Sequence, residues 1–424
     1  MTTRSVSPLD LAIVGAGPIG LDAGLAAAEA GLRFRLFDAS AHPADSFHRF
    51  AHVRLFSPWS MNVSTRMRRA LDGVGEACPD DGNCPTAREM VDRLFAPLAR
   101  LPLVAEGLEL ETRVLAISRQ GLRKHDAIGD ERRRSAQPFR LLLRTRDGEE
   151  RIVRARAVLD CSGGYALPNR LGDGGIAAPG ELALCGDDTD EAGEIEYRIP
   201  DTERDAARLR SGTTLVVGAG HSAQTAVCAL ARLAEGEPGM RVVWVVRRAE
   251  DPIELVADDP LPERARLSAE ARSIARGGAA GVQLRLGRVV EALRRDGESI
   301  ESIAVTLRRA DEGFETVRVA RILALTGRHG DASLYRQLQV HECWATSGPM
   351  KLAAALLAAS GGSADCLAQG SHGVDALRSP EPRFFILGSK SYGSNNTFLL
   401  RVGYEQVGEV VPLLARELAA DAHP

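Results

Sequence analysis

Three glycines near the start of the chain, Gly15, Gly17 and Gly20, have the spacing G-x-G-x-x-G and follow the apolar run Leu11–Val14. In a strand-turn-helix unit the first glycine permits the tight turn, the second lets a pyrophosphate approach the backbone, and the third lets the helix pack closely on the strand. Pro18 suits the first helical turn, where an N–H group has no intrahelical partner. The other N–H groups and the helix dipole favour phosphate at this end. The pattern predicts a dinucleotide site.

The elements around this turn support the prediction. An Ala/Leu-rich run after Gly20 predicts a helix that ends at Gly31, and Phe34–Phe37 predicts a second strand. Asp38 follows that strand, about twenty residues after the glycines, where a carboxylate accepts hydrogen bonds from ribose hydroxyls. Together these elements form one βαβ unit, which favours a dinucleotide site over an ordinary glycine turn.

A second turn of this kind follows the predicted strand Thr213–Val217. Its sequence is Gly218-Ala219-Gly220-His221-Ser222-Ala223, a G-x-G-x-x-A variant. The next predicted strand, Arg241–Val246, ends in Arg247 and Arg248 rather than in an acid. Guanidinium groups pair with a 2′-phosphate that a carboxylate would repel, so this half of the chain is predicted to prefer NADPH over NADH.

Composition and charge exclude several function classes. Of the 424 residues 44% are apolar and 26% charged, and the net charge of −4 gives no basic field for nucleic acid. No signal peptide precedes the first strand and no apolar run reaches the roughly eighteen residues of a membrane span, so a cytoplasmic protein without a membrane segment is expected. The Cys and His residues nowhere take the spacing of metal ligands, so no metal site is predicted.

The segment Ala39–Asn83 shows no clear periodicity but contains aromatic and aliphatic residues. A stretch of this length without regular structure is functional or disordered, and its apolar content argues against disorder. Two alternatives follow: a strap across whatever occupies the first phosphate site, and an ordinary packed loop. Arg54 and Trp59, which lie in this segment, are candidate cofactor-binding residues.

The remaining periodicity predicts further elements. A helix over Pro85–Ala99 is expected to open with a capping box of Thr86 and Glu89. The polar excursion Gly121–Gln137 is expected to be a solvated, mobile loop. The predicted strands in this half of the chain are Leu108–Ser118, Phe139–Arg146 and Glu150–Leu159.

The second half of the chain repeats this order. A helix is predicted over Leu261–Arg276, followed by the strands Val282–Leu293, Ile300–Leu307 and Glu315–Val319. Each half ends on a strand that leads into Ser-Gly or Thr-Gly. The repeat predicts an α/β fold of two Rossmann-like dinucleotide-binding domains, each with an antiparallel β-meander insertion, with the last hundred or so residues completing one of them.

The tail of the chain contains another candidate site. A predicted buried strand, Arg383–Gly388, leads through a Gly/Ser/Asn-rich loop into a helix over Phe398–Leu418. The amino end of this helix suits the electron-rich N1/C2 edge of a reduced flavin, although a well-capped C-terminal helix is the alternative. Lys390 is one of three lysines and could stabilise an anionic reduced flavin, the alternative being a surface lysine. The candidate contacts are Gly388, Lys390, Asn395, Asn396 and Thr397.

These residues resemble the flavoproteins with two dinucleotide-binding domains, and among them the flavin-containing NADPH-dependent monooxygenases and the lysine and ornithine N-hydroxylases. The resemblance covers nearly the whole chain. It rests on both glycine turns, Asp160-Cys161-Ser162-Gly163-Gly164, Leu325-Thr326-Gly327, and the tail after Leu387. The segment Asn62-Val63-Ser64-Thr65-Arg66-Met67 is similar to their Asn-x-Ser-x-x-Met motif, which implies that Asn62 lies beside the reactive edge of the flavin.

The resemblance also implies the cofactors and the reaction. Residues 1–170 and 321–424 would form an FAD-binding domain, with Gly163 among its contacts, and residues 171–320 an NADPH-binding domain. The activity implied is a monooxygenase in which NADPH reduces FAD and a C4a-hydroperoxyflavin transfers one oxygen atom from O2 to the amine nitrogen or sulfur of a small molecule. Asn62 and Lys390 are the candidate catalytic residues.

Two other functions remain open. A flavin disulfide reductase would need a cysteine pair near the flavin, and the candidates are Cys78 with Cys84 and Cys161 with Cys185. A nucleotide-sensing protein would keep the fold without catalysis. Apart from a small-molecule substrate and O2, neither nucleic acid nor membrane is an expected partner, and a homo-oligomer is compatible with the sequence.

Overall fold

A computed structural model describes residues 7–79, 82–185, 193–251, 253, 255–256, 258–360 and 370–421. The chain divides into two compact units, residues 1–167 with 329–424 and residues 168–328. The second boundary lies at 328 rather than at the expected 320. The reason is that the strand Arg321–Ala324 pairs with Thr213–Val217 inside the second unit.

The described elements follow one another in three stretches. Up to the first boundary they are β1 (Leu9–Val14), α1 (Pro18–Glu29), β2 (Phe34–Phe37), α2 (Asp45–His48), α3 (Trp59–Asn62), α4 (Thr65–Asp72), α5 (Ala87–Met90), a π-helical turn (Val91–Phe95), α6 (Ala96–Arg100), α7 (Pro102–Ala105), β3 (Leu108–Glu109), β4 (Thr112–Arg119), α8 (Glu131–Ser135), β5 (Phe139–Thr145), β6 (Glu150–Asp160) and β7 (Leu167–Pro168). The second unit contains a 3-10 turn (Asp173–Gly175), α9 (Glu181–Leu184), β8 (Ile195–Glu196), α10 (Ala206–Leu209), β9 (Thr213–Val217), α11 (His221–Ala234), β10 (Arg241–Val246), α12 (Pro262–Ala275), β11 (Val282–Leu286), β12 (Arg288–Arg295), β13 (Ile303–Arg309), β14 (Phe314–Val319), β15 (Arg321–Ala324) and β16 (Arg328–His329). The tail contains a 3-10 turn (Ala332–Tyr335), α13 (Met350–Ser360), α14 (Val374–Leu377), β17 (Phe384–Ile386), a 3-10 turn (Gly388–Tyr392) and α15 (Leu400–Ala420).

The first unit is built on one seven-stranded sheet with the order β3-β2-β1-β6-β5-β4, in which β17 also pairs with β6. β1 is parallel to β2 and to β6, and β17 is parallel to β6. β6 is long, so its first half pairs with antiparallel β5 while its last residues join the parallel part. The carboxyl ends of β1, β2, β6 and β17 therefore meet at one edge. The residues that follow these strands are Gly15, Asp38, Cys161 and Leu387.

Each face of this sheet has its own apolar core, because alternate residues of a strand point to opposite faces. Leu11 and Ile13 of β1 pack in the core that includes α1 and α15, whereas Ala12 and Val14 pack in the core that includes Tyr335. Both faces are thus covered, which explains the near-continuous apolar sequence of β1.

The predicted helix over Pro85–Ala99 and its capping box are confirmed. The Thr86 hydroxyl accepts the Glu89 N–H at 3.2 Å, and the Glu89 carboxylate accepts the Thr86 N–H at 2.7 Å. The helix changes to a π-helical turn over Val91–Phe95 before α6. Pro97 lies just after this turn and has no N–H to continue the regular i to i−4 bonding.

Two of the predicted strands are each two strands in the structure. Leu108–Ser118 is interrupted at Glu111, which has a left-handed φ of 52°, so β3 runs parallel to β2 while β4 pairs with antiparallel β5. Val282–Leu293 is interrupted at Gly287, with a φ of 61°, and its halves belong to different sheets. Apolar content continues across both breaks, so periodicity alone did not reveal them.

Most residues of the excursion Gly121–Gln137 are exposed, as its composition suggested, but the segment is anchored to the rest of the first unit. It contains α8, and the Arg134 side chain is buried against Glu381, with 2.6 Å between its Nη2 and Oε2 of the carboxylate. Arg119 contacts the other oxygen of Glu381 at 2.7 Å. The Gln339 side chain donates to the carbonyl oxygens of Lys124 and Asp126. The polar composition of this segment did not indicate that a buried ion pair holds it in place.

The second unit contains two sheets. Five parallel strands have the order β11-β10-β9-β15-β8, and β12, β13 and β14 form a separate antiparallel sheet. The parallel sheet places the residues after β9 and β10, Gly218 and Arg247, at its carboxyl edge. This edge is where open α/β sheets bind their ligands.

The longest described helix, α15, has charged side chains and Pro412 in its interior. None of the described helices combines the length and the apolarity needed to cross a bilayer. Nor does the described part of the chain gather three His, Cys, Asp or Glu side chains that could hold a metal ion.

Candidate functional site

The first glycine turn is tightly packed at two of its glycines and open at the third. Gly15 has a φ of 97°, and a Cβ atom there would lie 2.6 Å from the carbonyl oxygen of Cys161. A Cβ on Gly20 would lie 1.8 Å from the carbonyl oxygen of Gly15. A Cβ on Gly17, by contrast, would have no neighbour within 4 Å. Gly15 and Gly20 therefore hold helix and strand together, while the backbone at Gly17 is accessible to a ligand.

Hydrogen-bonding groups surround this opening. α1 begins at Pro18, and its N-cap residue Gly17 supplies no side-chain cap, so the first-turn N–H groups and the positive helix end remain available. Asp38 accepts the N–H of Ala16 at 2.6 Å and the N–H of Ser40 at 2.8 Å, one on each carboxylate oxygen. A carboxylate has about four acceptor positions, so Asp38 can accept further hydrogen bonds beside the turn.

The segment after Asp38 lies against the glycine turn. The N–H of Ala44 donates to the carbonyl oxygen of Ala16 at 2.9 Å. Further along, the ring of Phe50 stacks on Tyr165, with centroids 5.8 Å apart. The segment also contains α2, α3 and α4, which the sequence analysis did not identify. These contacts favour the strap interpretation over an unrelated packed loop.

Arg54 and Trp59 lie in this strap, and both have protein partners that follow it in the chain. Trp59 is only 2% exposed, and the Arg93 guanidinium lies 5.3 Å from its ring centroid. Arg54 is exposed and donates to the carbonyl oxygen of Cys84. Trp59 is thus in the core, and Arg54 links the strap to the residue that follows it. Their contacts with a cofactor stay predictions.

Asn62 is buried and held by hydrogen bonds at both ends of its amide. Its Nδ2 donates to the Ser57 carbonyl at 2.8 Å, and its Oδ1 accepts the Ser57 hydroxyl at 2.8 Å. The Tyr404 hydroxyl donates to the Asn62 carbonyl at 2.8 Å. An amide has two N–H donors, so these bonds leave capacity for one more acceptor.

The amino ends of α1 and α15 lie side by side. A Cβ on Gly388 would lie 3.0 Å from Cγ1 of Ile19, and one on Gly403 would lie 2.4 Å from its Cδ1. Ile19 is in the first turn of α1, and Gly403 is in the first turn of α15. α15 also lacks a side-chain N-cap. Two positive helix ends therefore converge at the carboxyl edge of the sheet.

The loop before α15 is joined to the strand end at Gly163. Ser389 accepts the N–H of Gly164 at 3.2 Å, and Gly163 has a φ of 77°. Near the end of the loop, the N–H and hydroxyl of Thr397 both donate to the Asn395 side chain, and Asn396 is exposed. The loop residue Ser389 is thus joined to the strand end at Gly163, whereas Thr397 bonds within the loop. The contacts of these residues with a cofactor stay predictions.

Lys390 does not occupy the position that the sequence suggested. Its Nζ donates to Asp160 Oδ2 at 2.6 Å, to the Ser162 hydroxyl at 3.1 Å and to the Asp331 carbonyl at 2.8 Å. These bonds use all three ammonium N–H groups, and the side chain is buried. We therefore correct its role: Lys390 ties the loop before α15 to the end of β6 and has no N–H left to donate to a flavin.

The second unit repeats the open glycine turn. A Cβ on Gly218 would lie 2.2 Å from the Leu325 carbonyl oxygen, whereas one on Gly220 would have no neighbour within 4 Å. α11 begins at His221, and Gly220 supplies no side-chain cap. Burial, and then the Arg264 guanidinium, lowers the pKa of His221, so its ring is neutral at neutral pH. Ser222 is exposed beside it.

The tip of β10 presents two basic side chains to solvent. Arg247 and Arg248 are both exposed, directly after the buried strand. The Trp244 indole N–H donates to the Gly218 carbonyl at 2.8 Å, which joins this strand to the glycine turn. The two arginines thus follow β10, the strand that neighbours β9. Asp38 has the corresponding position in the first unit, where it follows β2, the neighbour of β1.

Comparison with known proteins supports the fold assignment. No protein-family model and no curated protein sequence matches the chain. Among solved structures it is similar to the bacillithiol disulfide reductase of Bacillus cereus, with a TM-score of 0.69 and 17% identity over 97% of this chain and 100% of that one. It is also similar to the ornithine hydroxylase of Pseudomonas aeruginosa, with a TM-score of 0.61 and 16% identity over 97% of this chain and 100% of that one. The third is the FAD-bound cadaverine monooxygenase of Erwinia amylovora, with a TM-score of 0.62 and 13% identity over 98% of this chain and 95% of that one.

The chain therefore has the two-domain fold of these solved structures. The predicted α/β class with two Rossmann-like domains is thereby confirmed. Within this fold, the first unit contains Gly15, Gly17, Gly20, Asp38 and the loop before α15, and the second unit contains the Gly218 turn with Arg247 and Arg248.

Three buried polar residues of the first unit make contacts that the sequence patterns did not predict. Asp22 lies in the Ala/Leu-rich α1, Asp160 pairs with Lys390, and Gln406 of α15 accepts the N–H of Gly388 at 2.8 Å. A charged residue inside an apolar helix was the available signal for Asp22. The other two depend on contacts between distant parts of the chain, which spacing does not reveal.

Proposed function

We propose that the protein is an FAD- and NADPH-dependent oxidoreductase, in which residues 1–167 and 329–424 bind FAD and residues 168–328 bind NADPH. The observation that carries the proposal is the glycine turn found in both units, closed at Gly15 and Gly218 and open at Gly17 and Gly220. Each open glycine precedes a helix that has no side-chain cap. Such a backbone cradle fits the pyrophosphate of a dinucleotide.

The first unit offers the groups that would hold FAD. The Gly17 backbone and the amino end of α1 suit the pyrophosphate, and Asp38 suits the ribose hydroxyls. The second helix end, at α15, suits the electron-rich carbonyl edge of a flavin, and Asn62 has an amide N–H for a further acceptor. Convergence of two positive helix ends favours a ligand that is electron-rich at two separate places.

When bound, FAD supplies the redox chemistry by accepting a hydride from NADPH and passing the two electrons on. We propose O2 as the acceptor, with one oxygen atom transferred to an amine nitrogen or a sulfur of a small molecule and the other leaving as water. The support is the similarity to an ornithine hydroxylase and a cadaverine monooxygenase, together with the Asn62-x-Ser64-x-x-Met67 segment. The chain's own task is to bind and orient both reactants and to exclude water.

A disulfide reductase is the second candidate, because the chain is also similar to a bacillithiol disulfide reductase. None of the six described cysteines forms a disulfide bond. Sγ of Cys78 lies 3.8 Å from the Pro79 carbonyl oxygen, and Sγ of Cys84 lies 3.4 Å from that of Phe56. Burial raises the pKa of the Cys161 thiol, which disfavours the reactive thiolate. These environments make oxygen transfer the first choice; O2 uptake that accompanies NADPH oxidation distinguishes it from disulfide reduction.

Replacement of Arg247 and Arg248 by alanine is expected to raise KM for NADPH by about ten- to a hundredfold. This magnitude corresponds to the loss of one charge-assisted hydrogen bond to phosphate. KM for NADH should change by less than about twofold, because NADH has no 2′-phosphate for these side chains to bind. Steady-state kinetics with both nucleotides measure the difference.

Arg241 provides a matched control for this variant. It is exposed on the same strand, β10, but at its opposite end. Arg241→Ala should leave both KM values unchanged. Equal increases for NADPH and NADH in the double variant would contradict the assignment of the 2′-phosphate to Arg247 and Arg248.

A further inference from the structure

Asp22 is a charged residue in the middle of an otherwise apolar helix. α1 reads Pro-Ile-Gly-Leu-Asp-Ala-Gly-Leu-Ala-Ala-Ala-Glu, and Asp22 is completely buried within it. A buried carboxylate is costly unless its partners compensate for the lost hydration. Its presence in the helix that begins at the glycine turn therefore requires an explanation.

The partners of Asp22 come from the start of α4. Arg66 Nη2 lies 2.6 Å from Asp22 Oδ2, and the Ser64 hydroxyl donates to Oδ1. Ser64 is also the N-cap of α4 and accepts the N–H of Met67 at 3.0 Å. Burial raises the pKa of Asp22, and Arg66 and Ser64 oppose that rise. The Asp22 carboxylate thus binds Ser64 and Arg66, which follow Asn62 by two and four positions in the chain.

The same residues connect to α15. Arg66 donates to the Tyr404 carbonyl at 3.3 Å, and the Tyr404 hydroxyl donates to the Asn62 carbonyl at 2.8 Å. Tyr404 follows Gly403, the residue of α15 that packs against Ile19 of α1. Asn62 is therefore bonded to α15 through Tyr404, Ser64 is bonded to α1 through Asp22, and Arg66 is bonded to both helices whose amino ends converge. We call Asp22, Asn62, Ser64, Arg66 and Tyr404 the Asp22 network.

We propose that Asp22 is a positioning residue: through Ser64 and Arg66 it holds Asn62 beside the converging amino ends of α1 and α15. The inference rests on the proposed function, since it assigns the held segment to the flavin site of the first unit. The Asp22 network bonds the Asn62 carbonyl to α15 and the N-cap residue Ser64 to α1.

Asp22→Asn tests this proposal with Glu29→Gln as its matched control. Glu29 and Arg69 form an ion pair of 2.9 Å between the same two helices, α1 and α4, but both side chains are exposed. Tyr404→Phe is a second variant, because it removes the hydroxyl bond to Asn62 and leaves the Asp22–Arg66 pair intact. Hydrogen exchange of residues 59–67, the visible spectrum of bound FAD, and kcat and KM are measured for each.

We expect Asp22→Asn and Tyr404→Phe to speed hydrogen exchange in residues 59–67, to shift the flavin spectrum and to lower kcat by about tenfold with little change in KM, since small displacements of a positioned group are costly. Glu29→Gln should match the wild type in all three. Unchanged exchange and an unchanged flavin spectrum in both test variants would overturn the proposal, as would lower thermal stability with wild-type kcat. Exchange is measured on the apoprotein, so a failure of the wild type to bind FAD would refute the proposed function alone.

Discussion

Replacement of Gly17 by alanine is expected to weaken FAD binding about a hundredfold while leaving the apoprotein folded. Gly17 has a φ of −73°, which alanine adopts without strain, and its new Cβ would meet no protein atom within 4 Å. The methyl group would instead occupy the space through which a pyrophosphate approaches the backbone. Loss of one or two hydrogen bonds to a charged group, worth roughly 1.5–3 kcal/mol each, gives this magnitude. FAD titration of the apoprotein and its thermal unfolding measure the two effects separately.

Gly20→Ala is the matched control in the same turn. Its Cβ would lie 1.8 Å from the Gly15 carbonyl oxygen, so helix and strand would have to separate. We expect this variant to lose stability by roughly 1–3 kcal/mol or more, as overpacked sites do. Wild-type FAD affinity in Gly17→Ala would show that no phosphate approaches this backbone.

Replacement of Glu381 by glutamine is expected to lower the free energy of unfolding of the first unit by about 3–5 kcal/mol. The carboxylate contacts the buried guanidinium groups of both Arg119 and Arg134, and all three side chains are at most 1% exposed. Burial lowers the pKa of Arg119 to about 10 although Glu381 opposes the shift. Without the carboxylate, two buried positive charges would lack compensation. Urea unfolding followed by a probe in the first unit measures the loss.

Glu150→Gln supplies the comparison for this variant. Glu150 pairs with Arg144 at 2.6 Å in the same sheet, but both side chains are about half exposed. Surface pairs of this kind contribute roughly 0–1 kcal/mol, so the variant should unfold almost as the wild type does. Equal losses of unfolding free energy in the two variants would contradict the prediction that burial of Glu381 with Arg119 and Arg134 makes this ion pair more important than a surface pair.

Local rules were sufficient for much of the fold. The glycine turns, Asp38, and the capping box of Thr86 and Glu89 depend on residues close in sequence, and their spacing specifies their structure. The same holds for the fold class, because two successive βαβ patterns imply parallel sheets. These features were predictable because the interacting groups lie within one supersecondary unit.

Contacts between distant segments were not predictable in the same way. Lys390 appeared available for a flavin because its partner, Asp160, lies 230 residues away in the chain. The anchoring of the excursion Gly121–Gln137 was not apparent because its partner, Glu381, lies 247 residues from Arg134 in the chain. The strand break at Glu111 depends on a left-handed residue that composition does not require. Polar sequence therefore concealed the buried ion pairs that organise the first unit.

Anaerobic addition of NADPH to the purified protein, followed by mixing with O2, tests oxygen transfer by a bound flavin. We expect that the protein binds FAD, that NADPH abolishes the absorption band of oxidised flavin, and that O2 restores it through a transient species that differs from both end states. Direct return to oxidised flavin without that transient would contradict oxygen transfer and favour disulfide reduction. A protein that binds no FAD, or whose flavin NADPH cannot reduce, would contradict the assignment of the two units.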